Sequence, residues 1–289
     1  MDKFKAIKSL VSVRFRQWNS NRRLQMILLL VVLMIFNILS GVRQVSIDTK
    51  IPLSPWAVTG VLNTFDSLII ILLGYVFIYC DAPFLDELQP YVLLRCGRSI
   101  FCKAQILYIA ASSFVYAVFI WATSLLCSLP NLSFSLSWGK VLKTAATIGL
   151  SNQYGSMLQL SASTIQMPAL EAFLKEMLLL WLTGCFIGLL IFLLNLRFSR
   201  AVGITCASVL VFCNMFASMF SVSHGVFGGV IYWFLPTSWA NLGILQSQAS
   251  DPLPPFAYAV GMLLLLNGLF SVLIYRTFRK KEIEVLPQI

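Results

Sequence analysis

Six long apolar runs constrain this chain more than any other feature. Of its 289 residues, 58% are hydrophobic and only 11% are charged. A soluble domain typically has about a quarter of its residues charged, and a core of this size could not hide so much apolar surface from water. We therefore predict an all-α polytopic membrane protein, in which lipid solvates much of the surface.

Each apolar run is long enough for one transmembrane helix, because about 20 residues cross the hydrocarbon core of a bilayer. The predicted spans are residues 24–40, 57–80, 104–129, 173–196, 201–222 and 256–275. They form one membrane domain, residues 24–276, between an N-terminal segment, 1–23, and a tail, 277–289. The short connection 197–200 makes the fourth and fifth spans antiparallel neighbours.

The N-terminal segment has the pattern of an amphipathic helix. Its large apolar residues recur at steps of three and four and so share one helical face, while basic residues cover the rest. Those apolar residues are Phe4, Ile7, Val11, Phe15 and Trp18. Such a helix lies in the membrane interface with its apolar face among acyl chains. An ordinary basic tail is the alternative.

The distribution of positive charge predicts the orientation. Most of the 21 Lys and Arg residues fall on one side of the membrane if the N-terminus is cytoplasmic. By the positive-inside rule, both termini and the loop 81–103 are then cytoplasmic. The connections 130–168 and 223–255 face outward.

The loop 81–103 carries helix signals of its own. Asp81 can cap a helix, and Pro83 falls in the first turn, where a missing N–H has no cost. Apolar residues recur on one face, and a basic turn with a glycine follows. The face comprises Phe84, Leu88 and Tyr91, and the turn comprises Arg95, Gly97 and Arg98.

Two of the ionisable residues within the predicted spans stand out, Asp66 and Lys175. Asp66 lies in the outer half of the second span, where a charge is costly and should face protein or water. Lys175 lies at similar depth on the fourth span, and we predict that the two pair. The alternative is that the second span begins later and that Asp66 belongs to its interfacial first turn.

Glycines and aromatic residues mark two further features. Gly184 and Gly188 form a GxxxG pair in the fourth span, which permits close helix packing. The segment 223–255 is apolar but broken by glycines and Pro236, so it predicts a re-entrant or interfacial helix pair rather than a span.

Sequence signals for catalysis are missing. No GxSxG nucleophile elbow and no GxxxxGK[ST] phosphate loop occurs. The lone His224 has no clustered partner that would form a metal site. We therefore predict a non-catalytic chain with no metal, no cofactor of its own and no nucleic-acid partner.

Taken in order, these features resemble the permease subunit of exporter-like, type-two ABC transporters. An amphipathic N-terminal helix precedes six spans, with a helical cytoplasmic loop after the second and broken outer helices before the last. The residues that carry the likeness are DAPF (81–84), YVLLRCGR (91–98) and LPTSW (235–239). They look like those of small bacterial permeases, typically Gram-positive, with a D-x-P-F…R-x-G-R loop.

The resemblance implies that the loop 81–103 holds a coupling helix, which docks on a separate ATPase subunit that binds the ATP. Apolar side chains would fill a groove and arginines would meet its acidic rim. The implied contact residues are Phe84, Leu88, Tyr91, Leu93, Leu94, Arg95 and Arg98, with Asp81 and Pro83 capping the helix. The implied extracellular gate comprises Tyr232, Trp233, Pro236 and Trp239.

The resemblance also implies a bacterial cytoplasmic membrane and a second permease copy, identical or related. Few charges lie within the spans, so we expect export of an amphipathic or apolar substrate such as a peptide, drug or lipid. Two departures stand out: the connection 130–168 is long, and a large outer domain of the macrolide-exporter kind is missing. A stand-alone carrier or a membrane scaffold remains the alternative.

Overall fold

The apolar runs form long helices. A computed structural model of the chain describes residues 3–84, 96–129, 131–148, 158–245 and 252–280. The long helices are α2 (Arg22–Thr49), α5 (Arg98–Cys127), α8 (Ala169–Arg197), α9 (Arg200–His224) and α10 (Phe256–Lys280). The shorter ones are α1 (Lys3–Trp18), α3 (Ala57–Asn63), α4 (Phe65–Tyr79), α6 (Gly139–Ile148) and α7 (Ala162–Gln166). Three 3₁₀ segments follow α9, at Gly225–Trp233, Ser238–Ala240 and Leu242–Ile244.

The all-α class and the transmembrane character agree with prediction. In the described ranges, the five long helices are long and apolar enough to cross a membrane. The α3–α4 pair reaches that length only if the two are counted together, and they are bent by 88°. Six spans thus remain a prediction, with the bent pair as the sixth.

The helix of the first predicted span, α2, is longer than predicted. α2 begins after Asn21, whose side chain accepts from two backbone amides, and it continues to Thr49 through residues expected to form a polar connection. In this extension Val42 and Val45 are buried, so the helical period of the apolar residues persists. The spacing of these valines is the sequence signal that would have predicted the extension of the helix to Thr49.

The bend in the second run follows from its polar residues. Thr64 is extended, and its hydroxyl donates to Gly60 O at 2.9 Å while accepting from the amide of Gln159 at 3.1 Å. Ser67 donates to Thr64 O at 2.8 Å. Side chains of this kind offer the backbone hydrogen bonds that compete with a continuing helix. The predicted span 57–80 is therefore two helices bent by 88° rather than one straight helix.

α8 lies at the centre of the bundle. In its most apolar stretch, 72% of the residues are buried, compared with 17% for α10. It packs against α4, α5, α9 and α10. A Cβ at Gly188 would lie 2.6 Å from Ile109 and 2.9 Å from Tyr79, and one at Gly184 would overlap Tyr75 and Ser113. The close packing predicted from the GxxxG pair is confirmed.

α1 is helical as predicted, but part of its apolar face contacts protein. The indole of Trp18 donates to the Tyr108 hydroxyl of α5 at 2.8 Å, and the Phe15 ring lies 5.5 Å from the Tyr108 ring. Phe4 remains 76% exposed. The expectation that the whole face lies among acyl chains is corrected, because α5 covers its C-terminal half.

Candidate functional site

The structure describes only part of the predicted coupling helix. Leu88, Tyr91, Leu93, Leu94 and Arg95 lie outside the described residues. Asp81, Pro83 and Phe84 precede that gap, and Arg98 follows it as an exposed residue in the first turn of α5. The described part of the site is therefore the start of the loop, residues 80–84, which we call the base.

One arginine from α2 holds the first residues of this base. Nη1 of Arg23 lies 3.1 Å from Oδ2 of Asp81 and 2.7 Å from Sγ of Cys80. Burial raises the pKa of the Cys80 thiol, and the neighbouring Asp81 carboxylate adds to the effect. The thiol therefore stays neutral, and Asp81 is the anion that balances Arg23.

Phe84 is an internal packing residue. Its amide donates to Asp81 O at 2.7 Å, and its φ of 55° is left-handed. The ring packs edge-on against Tyr108 at 5.1 Å, and Arg14 of α1 donates to Phe84 O. Because the ring is only 8% exposed, its side chain offers a partner almost no surface. The resemblance implied that this side chain contacts an ATPase, but in this structure it packs inside the protein against Tyr108.

A buried amide connects the base to the far end of α8. Nδ2 of Asn195 donates to Ala82 O at 2.7 Å, and its Oδ1 accepts from the amide of Gly203 in α9 at 3.1 Å. Asn195 was overlooked in the sequence, although a polar residue next to the turn between two apolar runs is a usable signal. Displacement of the base would thus act on α1, α2, α5 and the α8–α9 turn.

A cavity of about 360 Å³ lies beside the base. Its walls come from α1, the start of α2, the end of α4, and α5. Among the lining residues are Arg14, Trp18, Asn21, Asp81 and Tyr108. The cavity lies between the amphipathic helix and the base, beside the contact of Arg14 with Phe84 O.

Three of the predicted gate residues, Tyr232, Trp233 and Trp239, lie in 3₁₀ segments. Trp239 is buried and donates through Nε1 to Tyr232 O at 2.6 Å. Trp233 donates to Pro252 O at 2.9 Å, and the Tyr258 hydroxyl donates to Trp233 O at 3.1 Å. Pro236 is half-buried between them. The aromatic residues therefore pack on each other and on α10.

The predicted Asp66–Lys175 pair is wrong. Lys175 forms its ion pair with Glu171, one helical turn away on α8, at 2.6 Å. Asp66 is exposed in the first turn of α4. The bend at Thr64 starts α4 later than a straight span would, which agrees with the alternative placing of Asp66 at an interface.

A second carboxyl on α8 was overlooked in the sequence. Glu176, adjacent to Lys175, is fully buried, and neither of its carboxyl oxygens has a hydrogen-bond partner among the described residues. An acidic residue inside an apolar run is a recognisable signal. No three His, Cys, Asp or Glu side chains gather as a metal site in the described ranges.

Comparison with known proteins assigns no family. No family model matches the chain, and no curated protein sequence is significantly similar to it.

Proposed function

We propose that this chain is the permease subunit of an ATP-driven ABC exporter, coupled to a separate ATPase subunit through the loop 81–103. The substrate is amphipathic or apolar, and a second permease copy completes the transport path. The long apolar helices support a membrane role. The sequence has no phosphate loop, so the energy must come from a partner chain.

The observation that carries the proposal is the anchoring of the loop base. Asp81 forms an ion pair with Arg23, and Ala82 O accepts a hydrogen bond from Asn195. The ring of Phe84 packs on the ring of Tyr108. A loop with these contacts transmits displacement to three helices, α2, α5 and α8, whereas a loosely attached loop would absorb it. Rigid elements with two arrangements are what couple distant sites.

The anchoring also sorts the roles of the loop residues. Phe84 and Asp81 fix the base, and we assign the contact with the ATPase to Tyr91, Arg95 and Arg98. ATP-driven closure of the ATPase pair would push this loop, and α4 and α5, which it connects, would pass the movement to α8. The spans would then exchange inward and outward exposure of the substrate path.

A stand-alone carrier is the second candidate. The bent α3–α4 pair next to a buried carboxyl, Glu176, favours it, because discontinuous helices and intramembrane carboxyls mark ion and substrate sites in carriers.

Co-purification tests the proposal. The double change Tyr91→Asp and Arg95→Glu should abolish co-purification with the ATPase partner and the stimulation of that ATPase by the permease. Such a change places repulsive charge in an apolar, basic contact. The variant should elute as the wild type does in size-exclusion chromatography.

The matched control is Lys143→Glu, a charge reversal at an exposed position on α6. It should leave ATPase binding and stimulation unchanged. If the double variant binds and stimulates the ATPase as well as the wild type does, the coupling role of the loop is wrong.

A further inference from the structure

The bent α3–α4 pair lies next to a group of buried polar atoms that lack partners. They are both carboxyl oxygens of Glu176, Oγ1 of Thr164 and Nδ2 of Asn63, none of which has a hydrogen-bond partner among the described residues. Their residues are 0%, 1% and 5% exposed. Buried polar groups are nearly always paired, so this group requires an explanation.

These residues surround the 3₁₀ turn at Leu242–Ile244. The amide of Gly243 donates to Oδ1 of Asn63 at 3.2 Å and to Oδ1 of Asn241 at 2.8 Å. Asn241 donates back to Asn63 O at 3.2 Å. A Cβ at Gly243 would lie 3.2 Å from Ser161, which precedes α7. The end of α3, the start of α7 and this turn therefore meet at one place.

Glu176 faces this junction from α8. The backbone amide of Leu242 lies beside its carboxyl group, although it does not complete a hydrogen bond with either oxygen. α8 also packs against α3 and against both short 3₁₀ segments. The carboxyl is thus enclosed by backbone and neutral side chains.

No described cation balances this carboxyl. α3, α7 and the two short 3₁₀ segments contain no titratable residue. On α8, Lys175 pairs with Glu171 and lies over the Phe256 ring. At the same end of the bundle, Asp66 of α4 is exposed and Tyr258 of α10 bonds to Trp233 O. Toward the same end of the bundle, the sequence places the ionisable residues Cys127 on α5 and His224 on α9.

An unpaired, ionised carboxylate is strongly unfavourable in such a place, because neither water nor a counter-charge stabilises it. The side chain therefore needs a positively charged ligand. A hard metal cation takes about six or more oxygen ligands, whereas the unpartnered side-chain oxygens here come from two residues only. The Asn63 amide adds N–H donors, which repel a metal ion. A proton satisfies these constraints.

We propose that Glu176 is a proton-binding site, loaded when α3, α7 and the Leu242–Ile244 turn close over it. On closure, hydronium transfers a proton to a carboxylate oxygen, and an O–H bond forms. On opening, the O–H bond breaks and water accepts the proton. Closure of this end of the bundle is then coupled to protonation, independently of any ATPase.

Infrared spectroscopy of the full-length protein in lipid nanodiscs tests the proton. The wild type at neutral pH should show the carbonyl stretch of a protonated carboxylic acid, shifted in D₂O. Glu176→Gln should lose this band. Glu171→Gln, which removes a carboxyl paired with Lys175 on the same helix, should keep it.

Two results would overturn the proposal. An identical spectrum for the wild type and Glu176→Gln would mean that Glu176 is ionised at neutral pH. A band that sodium abolishes at constant pH would mean that a metal ion, rather than a proton, occupies the site.

Hydrogen–deuterium exchange tests the coupling. After correction for the intrinsic pH dependence of exchange, peptides over 57–64 and 239–245 should lose protection in the wild type as pH rises. Glu176→Gln, which stays neutral, should keep its protection across the same range. An equal loss in both proteins would contradict the coupling. These measurements need no ATPase, so they stand or fall separately from the proposed exporter function.

Discussion

At the scale of single residues, Gly184 shows how little space the centre of the bundle leaves. It lies where α8 crosses α4 and α5, against Tyr75 and Ser113. Tyr75 is itself fixed, because its hydroxyl donates to Ser113 O at 3.2 Å and its ring packs on Tyr116 at 4.7 Å. Neither neighbour can yield without losing a buried contact.

We expect Gly184→Ala to destabilise the protein by about 1–3 kcal/mol, as overpacking does. The added methyl group would overlap Tyr75 and Ser113. Gly268→Ala on α10 is the control, because a Cβ there meets nothing within 4 Å. The control should be neutral or stabilising by about 0.5–1 kcal/mol. Thermal unfolding in detergent measures both, and equal melting temperatures would contradict the close-packing account.

At the scale of elements, the bend between α3 and α4 determines which polar groups come together. Without it, Asn63 would continue along a straight span and could not reach Gly243, to which it is hydrogen-bonded at 3.2 Å. The bend also exposes Asp66. One broken helix thus explains both the failed Asp66–Lys175 pair and the junction at Glu176.

We expect Thr64→Val to loosen this bend and to lower stability by about 1–3 kcal/mol, because it removes two hydrogen bonds and leaves the Gln159 amide unpaired. Thr205→Val is the matched control. Its hydroxyl also bonds to a carbonyl one turn earlier, at 2.8 Å, but the residue is exposed on α9. The control should change stability by less than about 0.5 kcal/mol. Comparable losses of melting temperature in the two variants would contradict a special role for Thr64.

Sequence reasoning predicted the elements better than their junctions. The apolar runs and the period of α1 are local patterns, and they correctly predict long helices and an amphipathic one. The surroundings of Glu176 and the hydrogen bond of Asn195 involve residues far away in the chain, such as Leu242 and Ala82. No local pattern encodes those contacts, so the buried junctions could not be predicted.

At the scale of the whole molecule, burial divides the helices into a centre and a periphery. α8 is mostly buried, whereas α9 and α10 have 28% and 17% of their most apolar stretches buried. Large apolar side chains therefore cover the outside of the bundle. Lipid or a second copy of the chain must cover these faces in the membrane.

In the proposed exporter, spans one, two and five line the interface between the two copies, so we expect α9, the fifth predicted span, to contact the second copy. In a variant without the native cysteines, Phe216→Cys should form a cross-linked dimer in membranes with a short bifunctional maleimide. Leu265→Cys on α10 should not, although Phe216 and Leu265 are both well exposed in the single chain, at 69% and 56%. Equal cross-linking of the two, or none for Phe216→Cys, would contradict this interface.

The contact between Trp18 and Tyr108 has a consequence for the order of synthesis. The two residues are 90 positions apart, so α1 leaves the ribosome well before α5 exists to receive it. Chains of this size fold as they emerge, N-terminal parts first. Until α5 is inserted, the apolar face of α1 has only the membrane surface to cover it. In the nascent chain, the apolar face of α1 therefore serves as a temporary lipid anchor. In the folded protein, the same face packs against α5.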